Sequence, residues 1–135
     1  MKLTPELYVL ALIAAATALM WIPYMLARIV TRGVGPTLAN PADPAFPPDP
    51  AWAERARCAH ANAVANLAVF APLVIILALT SASTPVAIFA AKTYLGARLV
   101  HYIVYAAGVP VVRTLAFVIG AGATLVIAAV VVGYA

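Results

Sequence analysis

The chain has 135 residues, of which 66% are hydrophobic and 9% are charged, and its formal net charge is +4. A soluble domain is closer to half apolar and a quarter charged, so this composition excludes an ordinary water-soluble domain and predicts a protein of the bilayer. The basic residues are scattered rather than clustered, which argues against a nucleic-acid-binding surface.

Proline and glycine divide the chain into four long apolar segments, each of which predicts a membrane helix. The first segment is too long for the core of a signal peptide, so we expect it to remain as a permanent helix, with a kink at Pro23. Asp49-Pro50 and Thr84-Pro85 are start signals for the second and third helices. The predicted helices span residues 5–30, 50–79, 86–107 and 111–133, with a loop at residues 31–49.

These elements predict an all-α fold, an integral-membrane four-helix bundle that forms a single domain over residues 1–135. Arginines lie near the helix ends on the side that holds the loop at residues 31–49, whereas Lys2 is the basic residue at a helix end on the other side. The positive-inside rule therefore predicts a cytoplasmic loop at residues 31–49 and places both termini outside.

The third helix carries polar residues on one face, because Tyr94, Arg98, His101 and Tyr105 follow one another at spacings of four, three and four. A charge at bilayer depth costs at least about 2.5–3.5 kcal/mol, so these residues predict a site that faces a protein interior or a wet cavity. The alternative is a buried polar network that joins helices.

A second polar face lies on the second helix, where Arg55, Asn62 and Asn66 share one side. Both faces begin at the arginine-rich boundary, where Arg113 opens the fourth helix, and together they predict a pocket for a small anionic ligand and a lipophilic co-substrate. The structural alternatives are that Arg55 is an interfacial anchor and that Asn62 and Asn66 are interhelical hydrogen-bond partners. No metal site is expected, since the two histidines lie on different helices and the single cysteine lacks clustered partners.

Two segments resemble the signatures of the MAPEG family, the membrane-associated proteins of eicosanoid and glutathione metabolism. Residues 54–66 read ERARCAHANAVAN and are similar to the family pattern E-R-x-x-R-A-H-x-N-x-x-E-N on the second helix. Residues 97–113 are similar to its A-R-x-x-H-x-x-x-Y…G…P…R run. The likeness covers nearly the whole chain and is closest to the short bacterial members, which implies a bacterial inner membrane.

The resemblance implies a homotrimer that binds glutathione between neighbouring subunits near the cytoplasmic face and acts as a transferase or peroxidase on a lipophilic substrate. Carried over by position, Arg113 matches the arginine that stabilises the glutathione thiolate, and Thr114 keeps a hydroxyl beside it. Asn62, His101 and Tyr105 match positions that contact the ligand. Arg98 matches an arginine that is structural or lines the site.

The chain departs from the family pattern at three positions. Cys58 stands in the place of the motif's second arginine, Ala65 in the place of its glutamate, and Phe117 where several glutathione-using members have tyrosine. Arg55 and Arg57 are both candidates to replace part of the missing positive charge. The alternative function is a non-catalytic membrane protein that binds lipid or a partner, its glutathione site degraded at Cys58 and Ala65; a small transporter is a third possibility.

Overall fold

The computed structural model describes residues 3–40 and 42–133, and within them every regular element is a helix. Lys2, on which part of the orientation argument depends, lies outside the described residues. The helices are α1 (Pro5–Leu19), α2 (Trp21–Arg32), α3 (Val34–Ala39), α4 (Ala51–Leu79), α5 (Pro85–Ala107) and α6 (Pro110–Gly133).

The first predicted helix is interrupted at Met20, one turn before Pro23, where the sequence predicted a kink. Proline removes a backbone donor and crowds the carbonyl four residues earlier, so the disturbance falls one turn before the proline itself. The phenol of Tyr102 on α5 donates a hydrogen bond of 2.8 Å to the Met20 carbonyl at the break. Beyond it, α2 continues to Arg32, two residues past the predicted end.

The predicted loop at residues 31–49 contains more structure than expected. Gly33 turns the chain with φ of 88°, and the short helix α3 follows it. Asp49, the expected N-cap of the second helix, does not cap α4, because its carboxylate accepts hydrogen bonds from Nε of Arg28 at 3.2 and 2.9 Å and pairs with Arg32. Pro50 is the N-cap residue instead, so α4 begins at Ala51.

Helices α5 and α6 form an antiparallel hairpin that packs against α4, and α1 packs against α4 and α5. Gly108 ends α5 in the left-handed conformation with φ of 82°, as the sequence predicted, and Pro110 opens α6. The centre of the packing is the stacked pair Phe70 and Tyr94, whose ring centroids lie 3.7 Å apart. Apolar side chains from α1, α4, α5 and α6 surround this pair.

Three helical segments are long and apolar enough to cross a membrane by length and composition: residues 5–32, α4 and α6. Their outward faces carry exposed large apolar side chains, for example Leu26 and Leu125. A contiguous apolar surface of this kind is stable against lipid and costly in water. Helix α5, with its polar face, lies between them and buries Tyr94, Arg98 and His101.

Candidate functional site

The polar faces of α4 and α5 meet at Arg98, whose side chain is only 1% exposed. Its Nη2 donates to Oδ1 of Asn66 at 2.9 Å, and its Nη1 donates to Oδ1 of Asn62 at 3.4 Å. The side-chain Nδ2 of Asn66 in turn donates to the backbone carbonyl of Asn62, one helical turn earlier, at 2.8 Å. The arrangement fixes both asparagines and joins α4 to α5.

Aromatic rings and a glycine enclose the rest of the Arg98 guanidinium. Its central carbon lies 5.2 Å from the ring centroid of Tyr94 and 5.3 Å from that of Phe117, which is the range of cation–π contacts. A Cβ atom at Gly120 would lie 2.9 Å from Nε and Nη2, so only glycine allows this approach. The Nε atom is buried and has no hydrogen-bond partner.

Four of the predicted site residues line one pocket of about 240 Å³ between α5 and α6, at the arginine-rich end of the molecule. The guanidinium carbon of Arg113 lies 4.6 Å from the ring centroid of Tyr105. The His101 ring is buried and packs edge-on against Tyr105, with centroids 5.5 Å apart. The lining residues are His101, Tyr105, Arg113, Thr114 and Phe117.

Phe117 is the residue that links the pocket to the buried network, and it was not among the predicted site residues. One face contacts the Arg98 guanidinium, and its ring lies 6.2 Å from that of His101. The signal for it in the sequence was its position four residues after Arg113, which places both on one face of α6. Asn62 and Arg98 therefore stand behind the pocket wall rather than in its lining.

Arg55 does not reach the pocket. Its Nε donates to the Ala106 carbonyl at 3.0 Å, and its guanidinium covers Gly108, where an added Cβ would lie 3.2 Å from it. A cation at the carboxyl end of a helix satisfies free carbonyls and complements the helix dipole. The side chain accordingly ties the start of α4 to the end of α5.

The two positions that depart from the MAPEG signature on α4, Cys58 and Ala65, are both exposed on the surface of the chain. Neither side chain lines the pocket described above. These departures therefore leave the lining of this pocket unchanged, and they alter exposed positions on α4.

The arginine-rich end is held together by polar contacts outside the pocket. The guanidinium of Arg28, hydrogen-bonded to Asp49, holds the pKa of that carboxyl below its usual value against the opposing effect of burial. Tyr24 and Nδ1 of His60 share a hydrogen bond of 2.9 Å between α2 and α4. Arg57 and Glu54 form an ion pair on the exposed side of α4.

The opposite end holds a contact that the sequence reasoning missed. The Glu6 carboxylate is 1% exposed and accepts a hydrogen bond of 2.6 Å from the Ser83 hydroxyl, in the turn between α4 and α5. Nothing in the local pattern signals this pairing, because the two residues lie 77 positions apart.

The fold and the buried cationic site define an all-helical protein with apolar helices long enough to cross a membrane. The family model of the MAPEG family matches residues 7–133, nearly the whole chain. The chain belongs to the MAPEG family. Comparison with curated proteins finds no match.

Proposed function

We propose that the protein is an integral-membrane thiol-dependent transferase or peroxidase that acts on a lipophilic substrate, with glutathione as the thiol that the family implies. The observation that carries the proposal is the position of Arg113, held over the Tyr105 ring in a pocket that also presents the Thr114 hydroxyl. A guanidinium in a partly desolvated pocket favours a thiolate over a thiol, and the thiolate is the nucleophile.

Each lining residue has a separate task in this proposal. Arg113 stabilises the negative sulfur, and the Thr114 hydroxyl, which donates to the Pro110 carbonyl at 3.1 Å, keeps a lone pair for a nearby donor. Tyr105 holds the guanidinium of Arg113 by a cation–π contact, with the guanidinium carbon 4.6 Å from the ring centroid. The rings of Phe117 and His101 form the inner wall and exclude water from the sulfur.

A lipophilic substrate reaches the pocket from the bilayer in this account. Thr114 lies at the boundary between the polar pocket and an apolar depression of about 310 Å³ on the surface of α6, lined also by Pro110, Val111 and Leu115. An electrophile dissolved in lipid can occupy the depression while its reactive atom approaches the thiolate sulfur that Arg113 stabilises. Proximity of this kind supplies much of the rate gain in a two-substrate reaction.

The pocket of a single chain is smaller than the roughly 300–1,000 Å³ typical of ligand sites. We therefore propose that neighbouring copies complete it in a homotrimer, in which α5 crosses the membrane as a fourth helix beside residues 5–32, α4 and α6. The same proposal places the arginine-rich end in the cytoplasm, because basic residues are retained on that side.

The test is conjugation of glutathione to a soluble aromatic electrophile by the purified protein. Replacing Arg113→Ala removes a charge-assisted contact worth about 1.5–3 kcal/mol, so we expect the rate to fall about 10- to 100-fold. Arg57→Ala is the matched control, because Arg57 is an exposed arginine paired with Glu54. A rate that is unchanged in Arg113→Ala refutes the role given to this residue.

The non-catalytic alternative is favoured by one specific observation, that Arg113 is the one permanent cation among the five lining residues of the pocket. A pocket with one cation, next to the apolar depression on the surface of α6, also suits the headgroup of an anionic lipid. Absence of turnover together with co-purified lipid supports this alternative, and turnover above the spontaneous rate contradicts it.

A further inference from the structure

None of the four acidic side chains of this chain, all of them in the described part, reaches the polar site. Glu6 lies at the opposite end of the molecule, where it accepts a hydrogen bond from Ser83. Asp43 lies in the segment between α3 and α4, where its carboxylate accepts a hydrogen bond of 2.9 Å from the Ala45 amide. Both are absent from the pocket lining.

The other two acidic side chains are paired with arginines. Asp49 is held by Arg28 and Arg32, and its side chain is 7% exposed. Glu54 is paired with Arg57 on the outer side of α4. A ligand in the pocket between α5 and α6 therefore meets no carboxylate from the chain that forms the pocket.

The same region carries two permanent positive charges. Arg98 is buried with neutral hydrogen-bond partners, Asn62 and Asn66, and its Nε has none. Arg113 lies in the pocket, and Phe117 separates the two guanidinium groups. A buried charge without a counter-ion is costly, so an entering anion is stabilised and an entering ammonium is repelled.

Building on the proposed function, we infer that this site binds a carboxylate-bearing thiol without a free amine in preference to glutathione itself. Glutathione satisfies part of this requirement, because its thiolate can contact Arg113 in the pocket and its carboxylates are favoured by the combined positive field of Arg113 and the buried Arg98. Its ammonium group is left without a partner and lies in a positive field. An acidic thiol whose amine is absent or acylated makes the same favourable contacts without that cost.

A second copy of the chain can bring only the same four acidic side chains to the site. Glu54 is the one to test, since its side chain is about half exposed, at 48%, and stands on the surface of α4. Glu54→Gln removes this carboxylate and keeps the shape of the side chain. The variant therefore distinguishes two cases. In one, the ligand's ammonium group has no carboxylate partner; in the other, Glu54 of a neighbouring copy is that partner.

The experiment measures dissociation constants by calorimetry for glutathione, N-acetylglutathione and mercaptoacetate, using the full chain in detergent at fixed pH and salt. The first two ligands differ at the amine. We expect N-acetylglutathione to bind on the order of tenfold more tightly than glutathione, which corresponds to a like charge about 12 Å from the amine at an effective dielectric of about 20. The ratio should be the same in Glu54→Gln, and mercaptoacetate binding should be lost in Arg113→Ala.

Glutathione binding as tightly as N-acetylglutathione, or more tightly, overturns the inference and leaves the proposed function standing. If Glu54→Gln then removes that preference, the partner of the ammonium is the glutamate of a neighbouring copy. If none of the three thiols binds to a folded protein, the proposed function and the inference both fail.

Discussion

Nη2 of Arg98 donates to Oδ1 of Asn66 over 2.9 Å, so a permanent charge inside the protein is met by a neutral amide. The pairing joins α5 to α4 at a buried position, and the ring of Phe117 lies 5.3 Å from the same guanidinium. The buried network and the pocket wall are therefore parts of one structure. Several consequences for stability can be measured directly.

Replacing Arg98→Ala is expected to destabilise the fold by about 2–4 kcal/mol, because it leaves a cavity between Tyr94 and Phe117 and unpairs the Asn66 oxygen. Thermal unfolding in detergent measures the effect. Lys92→Ala on the same helix is the control, since Lys92 is exposed. Equal unfolding temperatures for the two variants would show that the network does not stabilise the helix contact.

Gly120→Ala is expected to destabilise the protein by about 1–3 kcal/mol, since its Cβ would lie 2.9 Å from the guanidinium of Arg98. The guanidinium cannot move away without losing Asn66 or its ring contacts. Gly122→Ala two residues later meets no atom within 4 Å and should be neutral or slightly stabilising. The account of close packing is wrong if both variants unfold alike.

The ion pair of Asp49 with Arg28 makes stability depend on pH in the acid range. Because the pKa of Asp49 is lowered in the folded state, its contribution is present above the unfolded-state value of about 3.9 and is lost as pH falls through the folded value. Unfolding temperatures of the wild type and Asp49→Asn should differ at neutral pH and converge in acid. A difference that persists at the lowest pH contradicts this origin.

Tyr102→Phe is expected to destabilise the junction of α1 and α2 by about 1–3 kcal/mol, since it leaves the Met20 carbonyl without the phenol donor. Hydrogen exchange at the amides around the break reports the local effect, and thermal unfolding reports the global one. Tyr8→Phe, at an exposed position of α1, is the matched control. Equal exchange in both variants would mean that the hydrogen bond does not hold the break.

Apolar length, proline start signals and the Gly108 stop were enough to predict an all-helical membrane protein, whereas the family was predicted from the resemblance of residues 54–66 and 97–113 to its signatures. The interruption at Met20 lies in the turn before Pro23, because the missing donor and the steric clash of a proline act on the preceding turn. The role of Asp49 was missed. Its neighbour Pro50 suggested a cap, but two arginines from α2 compete for the carboxylate through contacts that are distant in sequence.

The part of the candidate site that could be predicted from the sequence is the part whose residues lie on a single helix, because spacing along one helix shows which residues share a face. The spacing of Arg98, His101 and Tyr105 indicated a shared face, and the structure places the last two in one pocket with Arg113. Arg55 was assigned to the ligand because it shares a helix face with Asn62. The structure instead places it on the Ala106 carbonyl, a contact between helices that periodicity within one helix cannot reveal.

The central claim is that Arg113 stabilises a thiolate, and the most direct measurement follows thiolate ultraviolet absorbance near neutral pH. The purified wild type, Arg113→Ala and Arg57→Ala are each titrated with glutathione and with N-acetylglutathione. The account predicts a saturable rise in the wild type and in Arg57→Ala, and none in Arg113→Ala. A flat titration of the folded wild type with both thiols, or an equal rise in Arg113→Ala, would contradict it.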